Sequence, residues 1–137
     1  MERTLTILKP DSVKAGKTGA ILAHLEKEGF RVAGLRKIRL SPEQAKAFYA
    51  VHRERPFYGA LVTFMTEGPV VVAALERTDA VTHLRKTMGA TDSRKAEAGT
   101  VRNLYGTDIE RNAIHGSDSP ENAAAEIAFF FAGADLI

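Results

Sequence analysis

The segment 112–119 carries the residues best suited to chemistry. In it, His115 follows the apolar pair Ala113 and Ile114 and precedes Gly116, so an imidazole stands at a glycine turn shortly before a helix start. Glycine allows close backbone approach by a ligand, and a helix start offers unpaired N–H groups. An imidazole placed there can serve as a base, a nucleophile or a metal ligand. The metal role is the weakest, because no second histidine or cysteine stands at ligand spacing.

Three cationic side chains are candidates for the same site. Lys9 lies at the end of the first predicted strand, Arg85 in a predicted helix, and Arg102 in a predicted long loop. Strand ends and long loops commonly carry functional residues. The three would form an anion site only if the fold brings them together, which spacing alone does not establish. His24 and His83 lie in predicted helices among ordinary neighbours and are interpreted as structural.

The elements that must position these residues are predicted to run strand, helix, strand, helices, strand, helix, strand, helix. Pro10 is expected to end the first strand, Thr18 to cap the first helix, and Gly34 to mark a bulge. Residues 89–106 have no sustained period and are predicted to form a long loop with one helical turn, a length typical of functional loops. The strands are expected over 4–9, 30–40, 70–75 and 112–115, and the helices over 18–29, after Ser41, over 57–65, over 79–88 and after Ser119.

Two positions carry a helix-start pattern. Ser41, Pro42 and Gln44 combine a capping box with proline at the first helical position. Ser119 and Pro120 repeat the cap and the proline before the last helix.

The order of elements predicts an α+β fold. Two strand-helix-strand units commonly form one sheet with helices on a single face, which gives a ferredoxin-like sandwich with a four-stranded antiparallel sheet. The 137 residues contain no repeat or linker, so one domain over 1–137 is expected. The longest apolar runs, 70–75 and 127–132, are far shorter than the ~20 residues that cross a bilayer. Without a signal-peptide core, the expected location is the cytoplasm, with no membrane contact.

Composition excludes several classes of protein. Lys plus Arg number 19 and Asp plus Glu 17, a net charge of +2, which lacks the dense positive field of a committed nucleic-acid binder. Cysteine is absent, which excludes disulfide scaffolds, thiolate metal sites and cysteine nucleophiles.

The segment 112–119 resembles the signature of nucleoside diphosphate kinases, and the resemblance extends from the opening strand through the final helix. The chain departs from the family pattern at Asp92 and Ser93, where asparagine and proline are common and the proline is tied to subunit contacts. That departure concerns loop rigidity and assembly more than chemistry. The matching positions elsewhere are Lys9, Pro10, Tyr49, His52, Arg55, Pro56, Phe57, Arg85, Gly89, Thr91, Arg102 and Glu126.

The resemblance implies a Mg²⁺-dependent enzyme that moves the terminal phosphoryl group of a nucleoside triphosphate to His115 and then to a nucleoside diphosphate. It further implies a homo-oligomer, tetramer or hexamer, with no obligatory nucleic acid and with the metal held mainly by nucleotide phosphates. The implied catalytic residues are His115, Lys9, Tyr49, Asn112, Glu126 and Ser117, and the implied nucleotide contacts are Lys9, His52, Phe57, Leu61, Arg85, Thr91, Arg102 and Asn112.

Individual roles follow from the same resemblance. Glu126 would accept a hydrogen bond from one ring nitrogen of His115 and so determine its tautomer. Phe57, or the adjacent Tyr58, would stack on the base, and since every base has a π face, broad base tolerance is expected. Contacts to the sugar imply that an acceptor without its 3′ hydroxyl reacts poorly.

The spacing of Asn112 and His115 predicts a backbone distortion. A flat strand has a period of two, so residues three apart point to opposite faces and reach one site only if the chain bends.

Two rival functions remain. One is a ferredoxin-like module that binds single-stranded nucleic acid, against which stand the small net charge and the lack of paired aromatic strand motifs. The other is a non-catalytic relative kept for protein contacts, which would be expected to lose the histidine cluster.

Overall fold

The computed structural model describes all of residues 1–137. The strands are β1 (Glu2–Leu8), β2 (Arg31–Ile38), β3 (Val70–Arg77) and β4 (Ile114–Gly116). The helices are α1 (Pro10–Lys14), α2 (Thr18–Lys27), α3 (Pro42–Phe48), α4 (Tyr58–Met65), α5 (Ala80–Met88), α6 (Val101–Tyr105) and α7 (Pro120–Phe130), with 3₁₀ turns at Ala50–His52, Ser93–Lys95 and Gly133–Asp135.

The four strands form one sheet in the order β2, β3, β1, β4, and every neighbouring pair is antiparallel. This is the predicted ferredoxin-like sandwich. β1 lies inside the sheet and is paired along its length with β3, while β4 is a short edge strand that pairs Ile7 with His115. The edge position leaves the far side of β4 free of strand partners, so helices and loops surround His115 there.

Helices lie against both faces of the sheet, so the predicted single covered face is wrong. Leu5 and Ile7 belong to a core shared with α3, α4 and α7, whereas Leu8 belongs to a second core shared with α2 and α5. β3 serves both cores, because successive side chains of a strand point to opposite faces. The apolar run 70–75 is buried throughout for that reason.

Local signals account for several boundaries. Ser41 Oγ accepts from the backbone N–H of Gln44, and the Gln44 side chain accepts in return from the Ser41 N–H, which is the predicted capping box. Ser119 Oγ accepts from the N–H of Asn122 at the start of α7. The pairing of β2 with β3 shifts between Val32 and Gly34, which confirms the bulge.

Two local predictions are wrong, and one helix was not predicted. Pro10 does more than end β1, since it is the first residue of α1, where its fixed φ and missing N–H cost nothing. Thr18 is the first residue of α2 rather than its N-cap. The N-cap is Lys17, whose side chain makes no capping hydrogen bond. The segment 89–106 contains both a 3₁₀ turn and α6 instead of a single helical turn.

None of the helices combines the length and the apolar character needed to span a bilayer.

Candidate active site

A cavity of about 400 Å³ opens beside β4, between α3 with its following turn, α5, the loop 89–106 and α7. Seven of the residues singled out from the sequence line it: Tyr49, His52, Arg85, Thr91, Arg102, His115 and Glu126. The fold therefore collects side chains from five separate parts of the chain around one concave, polar space.

His115 is oriented by a line of hydrogen bonds that ends on the central strand. Its Nε2 lies 2.8 Å from Oε1 of Glu126 in α7. An ionised carboxylate only accepts, so Nε2 carries the proton and Nδ1 keeps its lone pair. Ser117 Oγ donates to the same Glu126 oxygen at 2.9 Å and accepts from the N–H of Leu5 at 3.2 Å. Through Ser117, the Glu126 carboxylate is connected to β1, and the carboxylate in turn holds the imidazole of His115.

Two aromatic rings surround the imidazole. The ring centroid of Phe48 lies 5.7 Å from that of His115, and the centroid of Tyr49 lies 6.5 Å away, both edge to face. The hydroxyl of Tyr49 is buried and has no hydrogen-bond partner. Burial, together with the nearby Glu126 carboxylate, raises the pKa of Tyr49, so the phenol stays protonated and available as a donor.

The backbone just before β4 is bent. Ala113 has a φ of 73°, and the N–H of Ile114 donates to the carbonyl of Asn112 at 2.9 Å. This is the γ-turn with positive φ at its centre, the rarer of the two forms. A non-glycine residue in such a conformation costs about 1–3 kcal/mol and persists only where its surroundings hold it. The distortion predicted from the spacing of Asn112 and His115 is confirmed.

Two arginines bind the carbonyls on either side of His115. Arg102 is 6% exposed and donates from Nη2 to the carbonyl of Ile114 at 2.8 Å, and from Nη1 to that of Gly89 at 3.1 Å. Arg85 is exposed and donates to the carbonyl of Gly116 at 3.4 Å. Neither has a carboxylate partner. Burial, and secondly the charge of Arg85, lower the pKa of Arg102 to about 10, which leaves it a cation at neutral pH.

Lys9 lies behind the cavity rather than on its wall. Its Nζ donates to Oδ1 of Asn112 at 2.8 Å, and the side chain of Asn112 donates from Nδ2 to the carbonyls of Thr91 and Ile109. Burial, and secondly the charge of Arg102, lower the pKa of Lys9 to about 8. The amide therefore holds the lysine on one side and the loop 89–106 on the other.

Three further residues from the sequence analysis do not line the cavity. Ser117 is fully buried beneath it and acts on Glu126. Phe57 is 48% exposed and lies beyond His52, with the two ring centroids 5.4 Å apart. Leu61 is partly buried against the core on the α3 side of the sheet.

The loop that departs from the family pattern is tied internally. Asp92 accepts from the backbone N–H of Arg94 at 3.1 Å and from its guanidinium at 3.0 and 2.9 Å. Ser93 is buried, and its N–H donates to the carbonyl of Asp108. A local ion pair and cap thus hold this segment without a proline.

Sequence reasoning missed several residues on the cavity wall, notably Phe48, Asp118, Asn122 and Phe129. Helical spacing contained the signal. Phe129 follows Glu126 by three residues in α7, and such residues share a helix face. Asn122 lies in the first turn of the same helix and Asp118 lies two residues before that helix begins, and their side chains are hydrogen bonded. Phe48 directly precedes Tyr49, but adjacency along a helix does not predict a shared site.

The arrangement suits transfer of an anionic group to nitrogen. A ring nitrogen with a free lone pair faces a cavity that holds two unpaired guanidinium groups, and planar forked donors match phosphate oxygens. No group of three His, Cys, Asp or Glu side chains lies close enough together to hold a metal ion. Asp118 is a single exposed carboxylate on the wall. A metal in this cavity would depend on oxygens supplied by a ligand.

Comparisons with known proteins agree with this geometry. The family model described as nucleoside diphosphate kinase matches residues 2–136. A protein of Acidiphilium cryptum named nucleoside diphosphate kinase is 56% identical over 136 residues, covering 99% of this chain and 97% of that protein. One of the same name from Sorangium cellulosum is 53% identical, covering 99% and 94%.

Solved structures agree as well. The Aquifex aeolicus nucleoside diphosphate kinase crystal structure superposes with a TM-score of 0.97 at 49% identity, covering 99% of both chains. A halophilic nucleoside diphosphate kinase from Halobacterium salinarum in complex with CDP has a TM-score of 0.95 at 41% identity, covering 99% of this chain and 91% of that one. With a matching family model over nearly its full length and relatives more than half identical, this chain belongs to the nucleoside diphosphate kinase family.

Proposed function

We propose that this chain is a nucleoside diphosphate kinase that transfers the terminal phosphoryl group of a nucleoside triphosphate to a diphosphate through a phosphohistidine at His115. The observation that carries the proposal is the 2.8 Å bond from His115 Nε2 to Glu126 inside a cavity lined by Arg85 and Arg102. It leaves Nδ1 as the nucleophile and supplies cations for the phosphates.

The reaction has two balanced steps. In the first, the bond between the terminal phosphorus and its bridging oxygen breaks, the electron pair leaves with the nucleoside diphosphate, and a bond forms from Nδ1 of His115 to phosphorus. In the second, a terminal oxygen of the acceptor diphosphate attacks that phosphorus and Nδ1 recovers its electron pair. Glu126 stabilises the positive charge that the ring acquires between the two steps.

The surrounding residues position and neutralise the phosphates, which is most of what phosphoryl transfer asks of a protein. Arg85 and Arg102 bind the polyphosphate together with Thr91, and His52 reaches the inner phosphate. The unpartnered hydroxyl of Tyr49 donates to the transferred group or its acceptor nitrogen. Lys9 supplies a further positive charge behind His115, and Asn112 positions that lysine.

The base lies outside the phosphate cavity. Phe57 keeps nearly half of its surface exposed beyond His52, and a base that stacks on it gains about 1–3 kcal/mol without regard to base identity. Leu61 follows Phe57 by four residues and its N–H donates to the Phe57 carbonyl at 2.9 Å, so the two side chains share a helix face. Broad base tolerance follows from this stacking.

Mg²⁺ is the proposed cofactor, held by nucleotide phosphates because the chain itself brings no three metal-binding side chains together. When bound it neutralises phosphate charge. We further propose that residues 1–137 form a single domain, that the protein works in the cytoplasm and that it assembles as a homo-oligomer, tetramer or hexamer.

The decisive experiment mixes the protein with a nucleoside triphosphate labelled at the terminal phosphate and measures the label retained after denaturation. Retained label that is stable in alkali, labile in acid and discharged by any nucleoside diphosphate supports the proposal. His115→Ala should retain none, and label on that variant refutes the assignment of the nucleophile. His83→Ala is the matched control. The Nε2 of His83 also lies 3.1 Å from a glutamate oxygen, that of Glu28, but this pair does not line the cavity.

The same assay separates the rivals. A module that binds single-stranded nucleic acid retains no label and shifts a labelled oligonucleotide in a binding assay. A non-catalytic relative does neither. Either pattern refutes the proposed function.

A further inference from the structure

The strained residue Ala113 is held from both sides by residues 9–12. Its N–H donates to Oδ2 of Asp11 at 3.1 Å. Its carbonyl accepts from the N–H of Lys9 at 2.9 Å and from Oγ of Ser12 at 2.8 Å. Both polar groups of one residue are therefore bonded to a stretch of chain about a hundred residues earlier.

Arg102 also bonds this turn from outside, at the carbonyl of Ile114, but Ala113 itself is bonded by Lys9, Asp11 and Ser12. Ala113 is completely buried, and Ser12 is nearly so. Within the turn, the only bond is that from the N–H of Ile114 to the carbonyl of Asn112. A strained residue persists where its surroundings over-determine it, and here the surroundings are the start of α1.

The direction of two site residues depends on this turn. On one side of Ala113, the side chain of Asn112 turns toward Lys9 and Thr91. On the other, His115 turns toward Glu126. If Ala113 relaxed to an extended conformation, the strand period of two would send the two side chains to opposite faces.

We propose that Asp11 is a positioning residue for phosphoryl transfer: its carboxylate oxygen holds the Ala113 amide and so maintains the turn that directs Asn112 and His115 to one site. Ser12 holds the opposite side of the same residue. The inference rests on the proposed function, and it adds a role for residues that do not line the cavity.

The alternative role of Asp11 is electrostatic. It lies in the first turn of α1, where a negative charge favours the helix dipole, and near Lys9. Charge and hydrogen-bond acceptance can be separated, because Asp11→Asn removes the charge but keeps an oxygen that accepts, whereas Asp11→Ala removes both.

The test measures the rate constant of phosphoenzyme formation at saturating triphosphate by rapid quench, below the pH at which Lys9 titrates. Asp11→Ala should slow it about 100-fold, since misplacement of about 1 Å costs that much. KM should change far less, because Arg85 and His52 lie on other elements of the cavity wall and make no hydrogen bond with residues 112–114. Asp11→Asn should restore the rate to within about threefold of the unsubstituted protein, by the same positional argument.

Asp135→Ala is the matched control. Asp135 also accepts a backbone N–H, that of Ala132 at 2.8 Å, but at the far end of the chain. It should leave the rate unchanged. An unaltered rate in Asp11→Ala, or an asparagine variant as slow as the alanine variant, overturns the proposal.

A second variant tests the turn itself. The hydrogen bonds of Asp11 and Ser12 to residue 113 form a clamp on this turn. Glycine adopts positive φ without strain, so the turn in Ala113→Gly should depend less on the clamp. In that background the loss on Asp11→Ala should shrink below about tenfold, because coupled residues are not additive. If Asp11→Ala still slows phosphoenzyme formation about 100-fold in the Ala113→Gly background, Asp11 does not act through the turn.

Amide hydrogen exchange at Ala113 provides a readout without catalysis. Exchange should be faster in Asp11→Ala and unchanged in Asp11→Asn. If the unsubstituted protein forms no phosphoenzyme, the proposed function fails while this exchange still decides whether the clamp exists. Unchanged exchange in Asp11→Ala refutes the clamp even if the protein is an active kinase.

Discussion

Glu126 determines which nitrogen of His115 is free, because its Oε1 lies 2.8 Å from Nε2 and Nδ1 has no partner within the protein. The two residues are eleven apart in the chain, one on the edge strand β4 and the other in the second half of α7. Their contact converts an ordinary histidine into a ring with one defined donor and one defined nucleophile.

Removal of that carboxylate should slow the first chemical step. We expect Glu126→Ala to lower the rate of phosphoenzyme formation on the order of 100-fold, because the ring loses both its tautomer partner and the charge that stabilises it after transfer. Rapid-quench kinetics measure the rate, and ¹⁵N chemical shifts of His115 report the tautomer. Glu121→Ala, an exposed change at the start of the same helix, is the control. Equal rates in the two variants would contradict the assigned role.

Ser117 should matter for stability as well as for rate. Its hydroxyl accepts from the buried N–H of Leu5 and donates to Glu126. Ser117→Ala leaves that N–H without an acceptor, which should lower the free energy of unfolding by about 1–3 kcal/mol. Urea denaturation measures it. Thr63→Ala removes an exposed hydroxyl and should change stability by no more than about 0.5 kcal/mol. Similar values for both would show that the Ser117 bond is unimportant.

Arg85 offers the clearest test of phosphate binding, because it is exposed and makes one long bond to a carbonyl. Arg85→Ala should leave the fold intact and raise the Kd for a nucleoside diphosphate about 10- to 100-fold, the value of a charge-assisted hydrogen bond. Calorimetric titration measures the affinity. Arg53→Ala, an exposed arginine outside the phosphate cavity, should bind as the unsubstituted protein does. An unchanged Kd in Arg85→Ala would remove this residue from the site.

Lys9 should make activity fall in mild alkali. Burial, and then the charge of Arg102, lower its pKa to about 8, so the positive charge behind His115 is lost as pH rises through that value. The pH profile of kcat/KM, which reports groups of the free enzyme, should show an alkaline limb near there. The ¹³Cε resonance of Lys9 gives the titration directly. A midpoint near the ordinary value of 10.5 would contradict the prediction.

The same lysine has an opposite effect on stability. Its folded pKa is lowered, so between about 8 and 10.5 the folded protein has released a proton that the unfolded chain still binds. Where the unfolded state binds more protons, stability rises with pH. The contribution of Lys9 to the free energy of unfolding should therefore increase across this pH window. Urea denaturation should detect that increase in the unsubstituted protein and should not detect it in Lys9→Met.

The sequence predicted those features of the fold that depend on residues close together in the chain. The capping box at Ser41 and Gln44 joins groups three residues apart, and the run 70–75 carries enough apolar surface to be a buried strand in any arrangement. The helix at Pro10 was missed because proline both ends strands and begins helices, and only the packing of the following residues decides between the two. The second covered face was missed for a related reason, since a continuous apolar run does not reveal what lies against each side.

By itself, the sequence determined the order of the four strands and of the longer helices between them, the antiparallel four-stranded plan and the residue types available for phosphate chemistry, because these follow from periodicity, caps and composition within short windows. Only the tertiary structure decided how they meet. The positive φ of Ala113 is held by Asp11 and Ser12 from the other end of the chain, and Glu126 reaches His115 because α7 packs across β1. Such contacts join residues that no local pattern relates, and their energies exist only once the core has brought the elements together.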